Sequence, residues 1–202
     1  MHISEGILAA PVLITGATGA AIGCGIGLKK MDFEKTPKVA VLSSAFFVAS
    51  LIHVPVGPTS VHLMLNGLIG IILGWTSFPA LLVALILQTI LFQFGGITTL
   101  GVNTVTMALP AVICFLLFSR SIQSKNNPIA LIAGFLAGVI GVLLAGILVA
   151  FCLISTGEQF LAVAKVFLIA HSPVMIVEGI LTAFIVGFLR RVKPAILGGI
   201  VQ

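Results

Sequence analysis

The chain has 202 residues, of which 59% are hydrophobic and 7% are charged, and its formal net charge is +5. A soluble domain carries about 25% charged residues, so this composition excludes a soluble globular protein and predicts an integral membrane protein. Its long apolar runs favour helices over a β-barrel, whose strands would alternate polar and apolar residues. The basic residues stand in short clusters between these runs, which is typical of membrane topology and not of nucleic-acid binding.

We predict an all-α integral membrane protein with a bundle of about seven transmembrane helices, because each apolar run is long enough to cross or nearly cross a bilayer. In chain order the predicted helices cover about 8–28, 39–52, 60–75, 79–94, 104–118, 129–154 and 166–189. A charged hinge separates the first two helices, and a loop of glycine and threonine at 95–103 precedes the fifth. Residues 1–202 are expected to form a single membrane domain, with the bundle at 8–189 and a tail at 190–202.

The distribution of lysine and arginine predicts the orientation of these helices. With the N-terminus outside the cell, the cytoplasmic segments hold every basic residue except Lys165. These segments are 29–38, 76–78, 119–128 and 190–202. We therefore predict an external N-terminus and a cytoplasmic C-terminus.

Small residues recur at four-residue spacing on the first and sixth predicted helices, which lets helix backbones approach closely in lipid. On the first helix one row is Gly19, Gly23 and Gly27, and a second row beside it includes Ala21 and Gly25. Such rows serve either internal packing of the bundle or docking of a partner membrane subunit, and both interpretations stay open.

The segment 1–7 is a candidate metal chelator, because Met1 is followed directly by His2. A free α-amine, the His2 amide nitrogen and the His2 imidazole can occupy coplanar positions around one metal ion. Nitrogen donors in a square plane suit Ni(II) or Cu(II) best. The alternative is that His2 is an arbitrary residue on a frayed terminus.

Polar side chains within the apolar runs are so few that each one is informative. In the predicted topology His2, His53, His62 and His171 all lie in the outer half of the membrane or at its edge. Their convergence favours a metal site, to which His62 would supply a fourth nitrogen. His53, and His171 with Glu178 on one face of the last helix, are alternatively polar core residues with satisfied hydrogen bonds.

Two further polar residues are candidates for supporting the metal ligands. Asn103, at the end of the glycine and threonine loop, can donate a hydrogen bond behind the ligands, or the loop is an ordinary external connection. Glu5 balances the charge of the ion or orients His2, or it is simply solvated.

Four stretches in the same order resemble motifs of the CbiM/NikM family, the substrate-capture (S) components of energy-coupling factor (ECF) transporters for cobalt and nickel. The stretches are Met1-His2-Ile3-Ser4-Glu5-Gly6, residues 57–67 around His62, residues 95–104, and residues 171–179. The resemblance implies a seven-helix subunit of the prokaryotic cell membrane. It also implies a square-planar metal held by the Met1 amine, the His2 backbone and ring nitrogens, and the ring of His62.

The same resemblance implies partners: a transmembrane coupling (T) subunit, cytoplasmic ABC ATPase subunits and a small accessory membrane subunit. No Walker A sequence is visible in this chain, so we expect ATP to be hydrolysed by those subunits. The expected function is import of Co²⁺ for cobalamin biosynthesis, with the ion as bound substrate and no catalytic cofactor. The stretch Val61-His62-Leu63 resembles the cobalt branch, whereas coplanar nitrogen donors favour Ni²⁺, and both metals remain open.

The sequence gives less support to two other functional classes. A membrane enzyme would use His171 and Glu178 as an acid–base pair, but it lacks a second acidic or nucleophilic partner. An ion-coupled secondary carrier would have broken helices in repeated halves, and no internal repeat is evident in the sequence.

Overall fold

The structure is a computed structural model. It describes residues 2–32, 34, 36–56 and 59–198, and of 53–56 and 59–61 it describes the backbone. In these ranges the chain forms α-helices and one short β-hairpin. The elements are α1 (Ala10–Lys29), α2 (Thr36–Leu51), β1 (His53–Val56), β2 (Thr59–His62), α3 (Asn66–Leu73), α4 (Ser77–Phe92), α5 (Leu100–Ile122), α6 (Asn127–Thr156) and α7 (Leu161–Val192).

Most of these helices have the length and composition of membrane spans. Five helical runs are long and apolar enough to cross a membrane, and α2 is apolar but shorter. The five runs are Ala10–Lys29, Asn66–Phe92, Leu100–Ile122, Asn127–Thr156 and Glu158–Val192. Large apolar side chains such as Ile169 and Phe184, each 72% exposed, cover the outer surface of the bundle. An apolar exterior of this extent is the surface expected of a protein that faces lipid.

The second run, Asn66–Phe92, is not one straight helix, because α3 and α4 are joined by a 3₁₀ turn that starts at Gly74, whose φ is +56°. Phe78, near the start of α4, packs on Gly23 near the end of α1. Gln88, near the end of α4, bonds to His2, which precedes α1. Helix α4 therefore runs antiparallel to α1. We call the end of the bundle that holds His2 the histidine end, and the other end the opposite end.

The predicted third helix, 60–75, was placed too early. Residues 53–56 and 59–62 instead pair as the two antiparallel strands of a hairpin, with His53 opposite His62, and α3 begins at Asn66. The two strands contain three valines and one threonine, and such β-branched residues favour strands over helices. The other predicted helices are present, and the later ones are longer than predicted; α7, for example, begins at Leu161.

Glycines in α3 allow it to lie directly on two longer helices. A Cβ atom added to Gly67 would be 2.2 Å from the carbonyl oxygen of Ala137 in α6. One added to Gly70 would be 2.0 Å from the carbonyl oxygen of Ala111 in α5. Such distances exclude any side chain, so the backbones are in contact. The small-residue row of the sixth helix, which includes Ala137, serves internal packing.

The two small-residue rows of α1 have different surroundings. Gly23 and Gly27 face inward and pack on the start of α4. Ala21 is exposed, and a Cβ atom added to Gly25 would meet nothing within 4 Å. One row is therefore internal packing, and the other lies on the exterior of the bundle.

Candidate metal site

His2 and His62 come together at the histidine end, although they are far apart in the sequence. Their ring centroids are 5.2 Å apart and their planes differ by 29°. His2 lies on the segment that precedes α1, and His62, 4% exposed, is the last residue of β2. The ring of Phe94 lies beside His2, with 6.0 Å between centroids. The hairpin that displaced the start of the third helix is thus the element that positions His62.

A chain of hydrogen bonds fixes the His2 ring. Gln88 donates through Nε2 to the hydroxyl of Ser50, so its Oε1 faces His2 and accepts from His2 Nε2 at 2.7 Å. A neutral imidazole carries one proton, and here that proton lies on Nε2. Nδ1 of His2 therefore bears the lone pair, and it is the ring nitrogen nearer to the backbone.

His62 has the opposite tautomer. Its Nδ1 lies 2.9 Å from the carbonyl oxygen of Leu63, which can only accept, so Nδ1 is the donor and Nε2 bears the lone pair. Burial lowers the pKa of His2 to about 3. The His2 ring is therefore neutral at physiological pH, which is the form that binds a metal ion.

Asn103 holds the backbone of the segment that carries His2. Its Oδ1 accepts from the backbone N–H of Ile3 at 3.0 Å, and its Nδ2 donates to the carbonyl oxygen of Ile3 at 3.1 Å. Nδ2 also donates to the hydroxyl of Thr99 at 3.3 Å. Because Asn103 lies in the first turn of α5 and is 2% exposed, it anchors the segment to a long helix.

The loop of glycine and threonine packs against the same segment. Gly95 has a φ of +77°, and a Cβ atom there would be 2.9 Å from Nδ2 of Asn103. A Cβ atom on Gly96 would be 1.8 Å from Cγ of Glu5, so a side chain is excluded there. The exposed Glu5 accepts a hydrogen bond from the backbone N–H of Thr98 at 3.1 Å. Glu5 thus binds the loop, and its recorded partner is not His2.

A small polar cavity of about 140 Å³ lies at the two histidines. Its lining is His2, Ser4, Ser50, His62, Gln93, Phe94 and Gly95. One water in liquid occupies about 30 Å³, so this space suits an ion with a few waters better than an organic molecule. Within the described ranges no three His, Cys, Asp or Glu side chains gather into a metal-binding group. An ion held by the two rings would therefore take its other donors from the backbone or from other groups.

The remaining predicted residues have different places. Met1 lies outside the described residues. The backbone of His53 pairs with His62 in the hairpin, and the side chain of His53 is outside the described part. His171 donates from Nδ1 to the carbonyl oxygen of Phe167 at 2.8 Å. Glu178 accepts from backbone N–H groups at the start of α3. His171 and Glu178 thus have separate partners, and the geometry gives no support to an acid–base pair.

Sequence reasoning missed Gln88 and Ser50. Gln88 is fully buried in α4 and follows the apolar run 78–87, and a buried polar residue after such a run is rare enough to mark a functional position. That signal was present in the sequence, whereas the partnership of Gln88 with His2 depends on the fold.

The whole chain matches known proteins. A family model described as "Cobalt uptake substrate-specific transmembrane region" (CbiM) matches residues 2–196. The chain belongs to the CbiM family. The family resemblance carried by the sequence motifs is thereby confirmed, and the protein is a multi-pass membrane component of transition-metal uptake.

Relatives of this CbiM family member include metal transport proteins from bacteria and archaea. A putative metal transport protein of Haemophilus influenzae is 44% identical, over 98% of this chain and 97% of that protein. A cobalt transport protein CbiM of Clostridium tetani is 33% identical, over 99% of this chain and 90% of its own length. A putative fused nickel transport protein NikMN of Archaeoglobus fulgidus is 30% identical, over 98% of this chain and 68% of that protein.

Solved structures share the CbiM fold seen here. A crystal structure of a transition metal transporter has a TM-score of 0.71 and 25% identity, and covers 95% of this chain and 93% of that one. A truncated transition metal transporter has a TM-score of 0.68 at 25% identity, over 94% and 96% of the two chains. Both neighbours are transporters and not enzymes.

Proposed function

We propose that this chain is the S component of an ATP-driven ECF importer and captures Co²⁺ or Ni²⁺ outside the cell with Met1, His2 and His62. The stacked pair of His2 and His62 carries this proposal. Its tautomers offer Nδ1 of one ring and Nε2 of the other to a shared ion. A metal–nitrogen bond is about 2 Å, so one ion can join two rings whose centroids are 5.2 Å apart.

The His2 tautomer is the one that a chelate with the backbone needs. Nδ1 and the amide nitrogen of His2 can close a small ring through the ion, and the Met1 amine closes a second ring on the other side of that amide. With Nε2 of His62, the ion then has four nitrogen donors in a plane. Gln88 acts behind the ligands, since a partner on the second ring nitrogen orients a metal-binding histidine.

The same proposal includes seven membrane crossings, with an external N-terminus and a cytoplasmic tail at 190–202. The hairpin and α3 together would make the third crossing, since the eight residues of α3 extend about 12 Å against a hydrocarbon core of about 30 Å. Basic side chains gather at the opposite end, as the cytoplasmic side requires. Lys30, for example, lies 5.1 Å from the ring centre of Trp75, and Arg190 donates to the carbonyl oxygen of Ser124 at 2.7 Å.

The proposal assigns ATP hydrolysis to ABC ATPase subunits and its coupling to transport to a T subunit. A small accessory membrane subunit completes the set of partners. The exposed row of Ala21 and Gly25 on α1 is a suitable face for the T subunit, because small residues permit close helix contact. Co²⁺ for cobalamin biosynthesis is the first choice of substrate by family resemblance. Ni²⁺ is the alternative, favoured by the planar nitrogen donors.

Metal titration of the purified chain tests the chelate. One residue added before Met1, or the change His2→Ala, is expected to weaken Ni²⁺ and Co²⁺ binding by about 100-fold or more, because either change removes nitrogen donors. One residue added after Gln202 is the matched control and should leave the affinity unchanged. Undiminished binding in both altered chains would refute the proposed ligand set.

Uptake in cells tests the energy source. Cells that contain the chain together with its coupling and ATPase subunits should accumulate radioactive cobalt or nickel, and an inactive ATPase should abolish that uptake. Uptake that persists without any ATPase partner would identify a secondary carrier instead.

A further inference from the structure

The residues between His62 and α3 are held by a carboxylate of the last helix. Oε1 of Glu178 accepts from the backbone N–H of Met64 and from that of Leu65, the latter at 2.8 Å. Glu178 is 0% exposed, and hydrogen bonds in such a dry environment are stronger than those in water. The segment that leaves His62 is therefore tied to α7, although 113 residues separate Leu65 from Glu178.

One peptide group lies between Glu178 and the His62 ring. The N–H of Met64 donates to Glu178, and the C=O of Leu63 in the same peptide group accepts from Nδ1 of His62 at 2.9 Å. A peptide group is planar, so a contact that fixes the direction of its N–H also fixes the direction of its C=O. Glu178 therefore fixes the carbonyl group that sets the tautomer and the orientation of His62.

The backbone of Leu65 shows that this segment depends on such contacts. Leu65 has a φ of +51°, in the left-handed region that residues other than glycine rarely adopt. A conformation of this kind persists where the surrounding structure fixes it. The N–H of Leu65 is fixed by Glu178, and α3 begins at the next residue, Asn66. Without the carboxylate oxygen, Leu65 can relax to a negative φ, and the carbonyl group of Leu63 would turn away from His62.

Helix α6 holds the carboxylate and α3 in a fixed relation. A Cβ atom added to Gly138 of α6 would be 2.4 Å from the carbonyl oxygen of Glu178, so α7 lies directly on α6 there. One added to Gly141, on the next turn of α6, would be 2.8 Å from the backbone nitrogen of Gly67 in α3. Both helices thus lie against α6 at its glycines. Glu178 therefore acts on the start of α3 from a fixed position.

We propose that Glu178 is a positioning residue for His62, which it orients through the peptide group that follows Leu63 so that Nε2 of the ring faces the captured ion. The inference rests on the proposed function, since it concerns a ligand of the same site. The second nitrogen of a metal-binding histidine commonly donates to a carboxylate or to a backbone carbonyl, and loss of that partner weakens metal binding. Here the two kinds of partner act in series. Glu178 of α7 thus serves His62 as Gln88 of α4 serves His2.

Substitutions on α7 separate this role from simple capping of α3. Glu178→Met keeps the length of the side chain and removes both oxygens. Glu178→Gln keeps an acceptor oxygen, and its amide nitrogen can take the place of Oε2, for which no partner is found in the described part of the chain. The matched control is Thr182→Val, since Thr182 is equally buried one turn along α7 and its hydroxyl also has no partner among the described residues.

The test is titration of Ni²⁺ into the purified chain, with His62 present and with His62→Ala. In the chain with His62, Glu178→Met should weaken binding by about tenfold or more, the usual effect of losing a group behind a metal ligand. In the chain with His62→Ala, it should weaken binding by less than about twofold, because the ring through which Glu178 acts is gone. Glu178→Gln should bind within about threefold of the wild type, because it keeps the acceptor. Thr182→Val should keep the wild-type affinity.

The visible absorption of bound Ni²⁺ gives a second readout. In Glu178→Met it should approach that of His62→Ala, because the same nitrogen donor is lost. A residue that only stabilises the fold would lower the melting temperature and leave this spectrum unchanged.

Equal losses of affinity with and without His62 would overturn the inference, as would wild-type affinity of Glu178→Met. A loss in Glu178→Gln as large as that in Glu178→Met would also overturn it. If Glu178→Met does not fold, Glu178→Asp replaces it in the same comparisons, because its shorter side chain draws the acceptor away from Met64. Failure of the proposed function would be recognised separately, because the chain with His2→Ala would then still bind the metal normally.

Discussion

Removal of the Asn103 side-chain amide should weaken metal binding without removing any metal ligand. In Asn103→Leu the backbone N–H and C=O of Ile3 lose their partners at 3.0 and 3.1 Å. A neutral hydrogen bond contributes about 0.5–1.5 kcal/mol. Loss of two such bonds therefore reduces the free energy that holds the N-terminal segment in place by about 1–3 kcal/mol. Since about 1.4 kcal/mol is tenfold in an equilibrium constant, the dissociation constant should rise roughly 5- to 150-fold.

Calorimetric titration of Ni²⁺ or Co²⁺ into the purified chain measures this change. Gln123→Leu is the matched control, because Gln123 also bonds a backbone carbonyl, that of Leu197 at 3.0 Å, but at the opposite end. The control should lose some stability and keep its affinity. Asn103→Asp keeps the acceptor for Ile3 N–H and loses the donor, so its affinity should lie between those of the wild type and Asn103→Leu. A dissociation constant for Asn103→Leu within twofold of the wild type would refute the idea that Asn103 organises the site.

Other expected outcomes follow from single contacts. Gln88→Leu should weaken binding about 10- to 100-fold in the same titration, because the His2 ring loses the partner that fixes its tautomer; unchanged affinity would contradict this. Gly70→Ala should lower the melting temperature in detergent, since its Cβ atom would be 2.0 Å from the carbonyl oxygen of Ala111, whereas Gly25→Ala should not. Because burial depresses the pKa of His2 to about 3, the unfolded chain binds more protons between about 3 and 6.5. The metal-free protein should therefore lose stability as the pH falls through that window, and a flat profile would show that the ring is not buried.

The sequence predicts the helices well because the signal for each one is local. An apolar run of about 20 residues has few alternatives in a membrane, where backbone groups must be satisfied within the helix. The six correctly placed helices follow from this constraint. It fails at residues 60–65, because strand β2 continues to His62 and the helix begins only at Asn66. Composition alone does not separate a short apolar strand from the start of a helix.

The sequence predicted His2, His62 and Asn103 as residues of the candidate site. It did not predict the hydrogen bonds that these residues form. His2 was singled out because it directly follows Met1, and His62 because it could supply a fourth nitrogen to that chelate, and the structure brings their rings together. The tautomers depend on Gln88 and on the carbonyl oxygen of Leu63, and the sequence indicates neither of these two contacts. Asn103 was recognised as a polar residue near the site, whereas its bonds to the backbone of Ile3 arise from segments distant in the sequence.

The division of the candidate site between a terminal segment and a hairpin has a physical consequence. Neither the segment before α1 nor the strand that ends at His62 is part of a long helix, so contacts with other elements must hold each of the two rings in place. Asn103 and Gln88, by contrast, project from α5 and α4 and provide fixed partners. An ion held between these parts would join two short elements whose fixed partners lie on long helices, so its binding would add to the contacts that hold the segment in place.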